Sequence, residues 1–596
     1  MTEQNAQPFE ISKHIQDLLR DHLLFLYGQE RCGTAYQYLS SILERYAQYH
    51  HSASTAQRPN LTEQFTQADA ILITYGDQVS EPGVASLRTL AFVLEHHFTA
   101  LVSGIHLLPF YPYTSDDGFS VVDYTQVNPQ LGDWDDVALV GRHFRLMFDL
   151  VINHISASSA WFQAFLRDED PYTGYFINVD PSIDLSGVTR PRALPLLTPF
   201  ETPSGTKHVW TTFSADQIDL NFANPEVLLA MIEVLLYYIA RGAEIIRLDA
   251  IGYLWKEIGT NCIHLPQTHR AVQLFRTVLD AVAPHVTLIT ETNVPHQDNI
   301  SYFGDGTNEA QLVYQFPLAP LVLNAFVSES AQHLTHWAAN LESAGEHVTF
   351  FNFLASHDGI GVTPVLGILD WAAIDQLVER TRAHGGHVSF KNNPDGTQSP
   401  YELNITFFDA LSDPHANEAP AIQRDRFIVS QAIMLALAGL PGIYINSLLG
   451  SHNDHAGVAA TGRYRSINRQ KWQRADLDRQ LADQQSHAAQ ILARYATLLR
   501  ARAADPAFKP SAPQFVIAAH PTLFVLLRGE PGAQVLCIHN VSSHPQRLDL
   551  TQTGWDASSA PFHDLISDAQ VMTSGSVAES PELDIAPYQA LWLRPA

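Results

Sequence analysis

Residues 243–249 read Ala-Glu-Ile-Ile-Arg-Leu-Asp. Ala243-Glu244-Ile245-Ile246 is an apolar β-type run, and Arg247-Leu248-Asp249 ends it on charge. Two later stretches repeat the design: Val286-Thr287-Leu288-Ile289 leads to Glu291 in LITETN, and Val348-Thr349-Phe350-Phe351 leads to His357-Asp358 in FLASHDG. An acid at the C-terminal end of three separate buried strands is where a parallel barrel keeps its catalytic groups. Three carboxylates that converge repel one another, so chance burial of such a set is disfavoured. The reading is a site.

Working outward, short apolar strands alternate with amphipathic helices from Ala70-Ile71-Leu72-Ile73-Thr74-Tyr75 onward. Ile105-His106-Leu107-Leu108 and Arg145 to Val151 are further strands; Val227 to Arg241 and Thr268 to Val282 are helical. Such repetition implies parallel βαβ units, a barrel or a doubly wound sheet, and no GxGxxG follows the first strand to support a dinucleotide fold. The organisation expected is α/β, a (β/α)8 barrel with additions. Residues 1–65 form an N-terminal helical extension, with Ile11, Ile15, Leu18, Leu19, Leu23 and Leu24 at helical spacing. Residues 66–153 are the first part of the barrel, and 154–221, rich in Pro, Thr and Ser and too long for a bare connection, are an inserted B domain. Residues 222–505 complete the barrel, with 384–404 as a mobile loop over the site. Residues 506–596 read as a C-terminal antiparallel β domain, from the closely spaced runs at 515–518, 523–527 and 535–538.

The 35 Lys+Arg against 62 Asp+Glu give a formal net charge of −27. That balance argues against nucleic acid and anionic membranes as partners. Three cysteines, Cys32, Cys262 and Cys537, without a CxxC, exclude a disulfide framework and a thiolate zinc site. The first residues lack a basic start and an apolar core of the signal-peptide kind, and no apolar run approaches a bilayer-spanning length. A cytoplasmic protein is expected.

The ordered set DGFSVVDY, DLVINHIS, IIRLDAIGY, ITETN and SHDGIG, from about Ala70 to Leu477, resembles glycoside hydrolase family 13, the α-amylase superfamily. In detail it resembles the sucrose phosphorylase branch. The resemblance implies a (β/α)8 barrel with a B domain after the third strand and a C-terminal β domain. It implies Asp249 as nucleophile, Glu291 as general acid/base and Asp358 as the transition-state-stabilising carboxylate. Retention needs such a nucleophile and acid flanking the anomeric carbon, and Glu291 needs a raised pKa to donate a proton. Arg247, on the strand of Asp249, points to the same face and can hold that carboxylate ionised. His154 and His357 match a pair that hydrogen-bonds the sugar, Asp116 and Arg469 a pair that clamps its far side, and Phe119 an aromatic wall. On the residues alone, His154 could be a core histidine, and Phe119 and Tyr253 core aromatics. Asp149, Asn153 and His154 supply too few oxygens for the family's calcium site, so no metal and no cofactor are expected.

A glucosyl-enzyme can be resolved by water or by phosphate, and phosphate needs cationic donors. Arg190 and Arg192, two apart in TRPRALPLLTPF, are either an anion clamp or a structural salt bridge; the resemblance favours the clamp. Tyr253 and Tyr401 match tyrosines near the phosphate and acceptor positions. Sucrose phosphorylases place a Gln after the loop tyrosine, whereas this chain has Tyr401-Glu402-Leu403-Asn404. With PDGTQSPYELN, that departure looks more like relatives acting on glucosylglycerol or glucosylglycerate. A glycerate carboxylate would want a cation, with Lys391 and His387 as candidates; glycerol would not. The acidic surface suits an osmolyte-using organism, so the expectation is a retaining phosphorylase that cleaves 2-O-α-glucosylglycerol with inorganic phosphate as co-substrate. Glucosylglycerate and then sucrose phosphorylase are the alternatives. An α-glucosidase or transglucosidase and an inactive sugar-binding barrel are rivals. Members of the branch are often dimers; the sequence leaves the oligomeric state open, a homodimer being one option.

Overall fold

The computed structural model describes residues 10–50, 58–192, 194–341, 345–393, 396–555, 561–573 and 581–595. Eight strands close a barrel: β1 (Ile71–Thr74), β2 (Gly104–Leu107), β3 (Arg145–Leu150), β4 (Ala243–Leu248), β5 (Thr287–Thr290), β6 (Leu312–Tyr314), β7 (Thr349–Asn352) and β8 (Leu440–Tyr444). Each pairs in parallel with its neighbours in sequence, and β8 returns to β1. Covered on both faces, such strands are apolar along their length, as Ile71–Thr74 and Thr287–Thr290, wholly buried, show. Packing needs one glycine in β8: a Cβ on Gly442 would sit 2.3 Å from the Phe351 ring. The helix Pro225–Ala240 that precedes β4 opens on an Asn224 cap and a proline in its first turn. Pairing with β3 and β5 sets the register from which Arg247 and Asp249 emerge.

The insert after β3 is closed at its base by antiparallel pairing of His154–Ser156 with Gln217–Asp219. It contains a hairpin, Leu197–Thr202 with Gly205–Trp210, over a small core of Val179, Val188, Leu196, Trp210 and Cys262. The C-terminal sheet has six strands, in the order Gln514–Ile517, Leu523–Arg528, Val535–Asn540, Ala590–Pro595, Phe562–Asp564, Ala569–Val571, and is antiparallel throughout.

The N-terminal region is one long helix, Lys13–Tyr49, broken by Gly28 at φ 68°, ψ 177°. It buries Leu19, Leu23, Leu26 and Tyr27 against the barrel helices, where Tyr27 donates to the Phe222 carbonyl at 3.0 Å and His22 meets Thr277 at 3.1 Å. Leu24, grouped with the apolar stripe on spacing, faces outward and is 42% exposed. No described helix is long and apolar enough to cross a membrane.

The stretch 384–404 is a hairpin rather than a bare loop. His387–Asn392 pairs antiparallel with Gln398–Asn404, whose other edge pairs with Ile360–Gly361. Val388 and Leu403 face each other across it and are buried, and that apolar pair is the reason the polar stretch around it holds as sheet.

Candidate active site

Asp249 and Glu291 follow β4 and β5 directly, and the ladder carries them: Asp249 N–H donates to the Leu150 carbonyl at 3.4 Å and Glu291 N–H to the Leu248 carbonyl at 3.2 Å. Arg247, buried on β4, joins them. Its Nη1 donates to Asp249 Oδ1 at 2.7 Å and to Asp149 Oδ1, and its Nη2 lies 3.7 Å from Glu291 Oε2. Asp149 is opposite Arg247 in the β3–β4 register and accepts from buried His106 at 2.7 Å. Burial would raise Asp149, but Arg247 and His106 hold it at about 2. A buried guanidinium with this many acid neighbours stays charged.

Burial raises both Asp249 and Glu291, and each acid's neighbours add to it. Arg247 opposes this at both, but it bonds Asp249 at 2.7 Å and stands 3.7 Å from Glu291. A proton shared by the pair therefore rests on Glu291. Ala250, in the left-handed region at φ 48°, turns its N–H onto Glu291 Oε2 at 3.1 Å. The peptide that follows the nucleophile position thus holds the acid.

Asp358 is not at a strand end. It lies in the loop beyond β7, clamped by the turn Tyr464–Asn468: Asn468 Nδ2 donates to the Asp358 carbonyl at 2.6 Å, and Arg469 Nε to the His357 carbonyl at 2.8 Å. Its carboxylate is 2.6 Å from Arg465 Nη1 and 3.5 Å from His357 Nε2. Burial alone would raise it; Arg465, His357, Arg469 and Arg247 outweigh that and hold it well below the usual carboxylate range. Burial lowers His357 to about 3, so it is neutral, and it stacks on Phe119 at 4.9 Å with rings 3° apart. Phe119 also lies under Arg247, its ring centre 5.6 Å from the guanidinium carbon.

Several of the expected site residues have partners within the protein. Asp116 and Arg469, expected on one side of the sugar, do not bond each other; Arg469 bonds Asp117. Asp116 instead accepts from Arg192 Nη2 at 2.9 Å and Gln217 Nε2 at 3.3 Å. Consecutive left-handed residues, φ 54° and 49°, turn the two acids to different partners. The Arg190–Arg192 pair separates as well: Arg190 is exposed and donates to the Leu194 carbonyl at 3.4 Å, and of the two it is Arg192 that turns to the site. Its bond to Asp116 realises the salt-bridge reading for that residue. His154 spends its ring within the protein, Nε2 donating to the Phe119 carbonyl at 2.8 Å while Asn153 lies 3.2 Å from Nδ1. Glu402, expected at the acceptor, is 3% exposed and gives both oxygens to Arg465, at 2.7 and 3.0 Å.

Tyr401 lies beside Glu402 on the hairpin. Tyr253, 5.4 Å from the Phe213 ring, is close enough to Glu291 to feel its charge, and burial raises its phenol. A cavity of about 540 Å³ opens on this side, walled by Asp116, Tyr401, Glu402, Tyr464 and four arginines, Arg192, Arg463, Arg465 and Arg469. Lys391 and His387 are not in its lining; His387 stacks on Tyr464 at 4.4 Å. Near Asn153 the ammonium of Lys256 takes the polar ligands, 2.7 Å from Asn153 Oδ1 and 2.6 Å from Asp219 Oδ2. Among the described residues no group of three His, Cys, Asp or Glu is placed to hold a metal.

Arg465, Asp117 and Gln217 were not legible as site residues. The only signal was the spacing of Arg465 and Arg469 in RSINR, four apart.

Residues 99–368 match the model of the α-amylase catalytic domain. A glucosylglycerate phosphorylase of Allomeiothermus silvanus is 53% identical over 536 residues, covering 90% of this chain and 94% of its own. The chain belongs to the α-amylase family. Within that family, known as glycoside hydrolase family 13, it is a glycoside phosphorylase, a hexosyl-transferring enzyme of the double-displacement type. A glucosylglycerate phosphorylase of Spirochaeta thermophila is 46% identical over 592 residues, covering 97% and 98% of the two chains. Among solved structures of the family, the sucrose 6F-phosphate phosphorylase from Thermoanaerobacter thermosaccharolyticum superimposes with a TM-score of 0.70 at 25% identity, over 83% of this chain and 97% of that one.

Proposed function

We propose that this enzyme cleaves 2-O-α-glucosylglycerate with inorganic phosphate, reversibly, to α-glucose 1-phosphate and glycerate. Asp249 attacks the anomeric carbon. Arg247 holds Oδ1, so Oδ2 is the attacking oxygen. Glu291 gives its proton to the glycosidic oxygen as that bond breaks, leaving a glucosyl ester on Asp249 and free glycerate. Phosphate then attacks the same carbon from the vacated side. Its proton passes to Glu291, and the ester bond to Asp249 breaks. Asp358 grips sugar hydroxyls while the ring is oxocarbenium-like, His357 and Phe119 wall the ring, and the Arg469–Asp117 pair closes its far side. No metal or other cofactor enters this account.

The observation that carries the choice of acceptor is the arginine-walled cavity beside these acids, in a chain of net charge −27. Glycerate and phosphate are both anions and occupy that side in turn, so one set of cations serves both half-reactions. Glycerol has no charge to meet there. Arg463 is the least committed of the four, its nearest acid Asp117 at 3.8 Å, and it is the candidate anion contact. The two relatives of highest quoted identity carry the same activity in their names.

Glucosylglycerol is the second reading. Arg192 and Arg465 are already paired with Asp116, Asp358 and Glu402, which lowers the cavity's net positive charge. An acceptor screen separates the two. With α-glucose 1-phosphate as donor, glycerate accelerates phosphate release well beyond glycerol or fructose. Faster release with glycerol than with glycerate overturns the choice.

A further inference from the structure

Arg465 links two carboxylates that the chemistry above does not connect. Its Nη2 and Nε form a fork on Glu402, at 2.7 and 3.0 Å, and its Nη1 meets Asp358 at 2.6 Å. A guanidinium gripped bidentately is fixed in plane and direction. The Glu402 fork therefore decides where the third nitrogen sits.

The backbone holds Glu402 from both sides. In the three-stranded sheet it lies opposite Gly361 on one edge and Ser389 on the other. Gly359, next to Asp358, packs directly on it: a Cβ there would lie 2.7 Å from the Leu403 carbonyl and 2.9 Å from Glu402 Cγ. The hairpin and the Asp358 loop are one unit, and Arg465 is its charged joint. Glu402 is 3% exposed and each of its oxygens is engaged by Arg465.

A glutamine in its place presents one oxygen to the fork and an amide NH2 against the other nitrogen. The fork fails, and Arg465 is released to pair fully with Asp358, which then has less of its carboxylate for the sugar. We propose that Glu402 is a positioning residue for glucosyl transfer, acting through Arg465 on Asp358, rather than a contact for the acceptor. This rests on the reading of Asp358 as the carboxylate that grips the sugar. It separates from recognition of glycerate because it operates in a step where no glycerate is present.

The test uses α-glucosyl fluoride as donor and phosphate as acceptor, since fluoride leaves without using the glycerate contacts. Glu402→Gln is expected to lower kcat at least about tenfold in that assay, with KM for glycerate in the synthetic direction changed less than about twofold. Arg465→Lys should cost a similar factor, and Glu402→Gln should add little to it, since residues that act as a unit are not additive. Glu402→Asp, which keeps the charge, should recover most of the loss. Full fluoride turnover in Glu402→Gln with a raised glycerate KM would make it an acceptor contact and overturn the proposal, as would additive losses in the double variant. An aspartate variant no better than the glutamine overturns the role of the charge. A wild-type enzyme inert to α-glucosyl fluoride and phosphate would instead defeat the reading of the reaction itself.

Discussion

Arg247 donates to Asp249 at 2.7 Å and stands a full ångström further from Glu291, at 3.7 Å. The same cation thus treats the two acids unequally, and that inequality separates a nucleophile from a proton donor.

Asp249→Asn removes the nucleophile while keeping the shape of the site. Phosphorolysis should fall by about three orders of magnitude or more, with natural and activated donors alike. Initial rates of glucose 1-phosphate formation measure it. Near-normal turnover would place the nucleophile elsewhere.

Glu291→Gln distinguishes the acid. It should depress turnover of glucosides far more than that of α-glucosyl fluoride, whose leaving group needs no proton. Its pH behaviour has a definite sign. Burial raises the Glu291 pKa, so the proton persists above the ordinary carboxyl range, and activity on glucosides is lost as pH rises through that raised value. The pH profile of kcat/KM for the glucoside should show this basic limb in the wild type, and the limb should vanish in the variant.

Much of this was legible in the sequence, for a physical reason. A buried parallel strand must be apolar and its end must carry the chemistry, so Ala243–Leu248 and Thr287–Thr290 announce both fold and acids. What was not legible depends on contacts distant in sequence or on backbone turns. Whether Arg469 meets Asp116 or Asp117 is settled by two successive left-handed residues that no side-chain pattern encodes. Glu402 meets Arg465 across 63 residues, in a hairpin whose Gly- and Asn-rich sequence reads as loop. His154 matched a sugar contact, yet its neighbours take both ring nitrogens.

Lys256 is a buried ammonium held by Asn153 and Asp219 at the root of the insert. Lys256→Met keeps its length and leaves Asp219 buried without its cation. Breaking one side of a buried pair costs about 3–5 kcal/mol. Denaturant unfolding measures the loss. A change under about 1 kcal/mol would mean Asp219 finds another partner or takes up a proton.

Ala250 sits at φ 48° and donates its N–H to Glu291. Ala250→Gly should relieve about 1 kcal/mol of backbone strain, offset in part by the greater freedom of glycine in the unfolded chain. Ala250→Val, β-branched in the same region, should destabilise by about 1–3 kcal/mol and lower kcat with it. Equilibrium unfolding of the two variants, side by side, checks the order.

The central claim is that a covalent glucosyl-enzyme is resolved by phosphate with retention. The most direct measurement follows 2-O-α-glucosylglycerate and phosphate by proton NMR from the first turnovers. The account predicts glucose 1-phosphate as the α anomer, formed in step with glycerate, and little free glucose while phosphate is present. The β anomer as first product, or glucose released at a rate indifferent to phosphate, would contradict it.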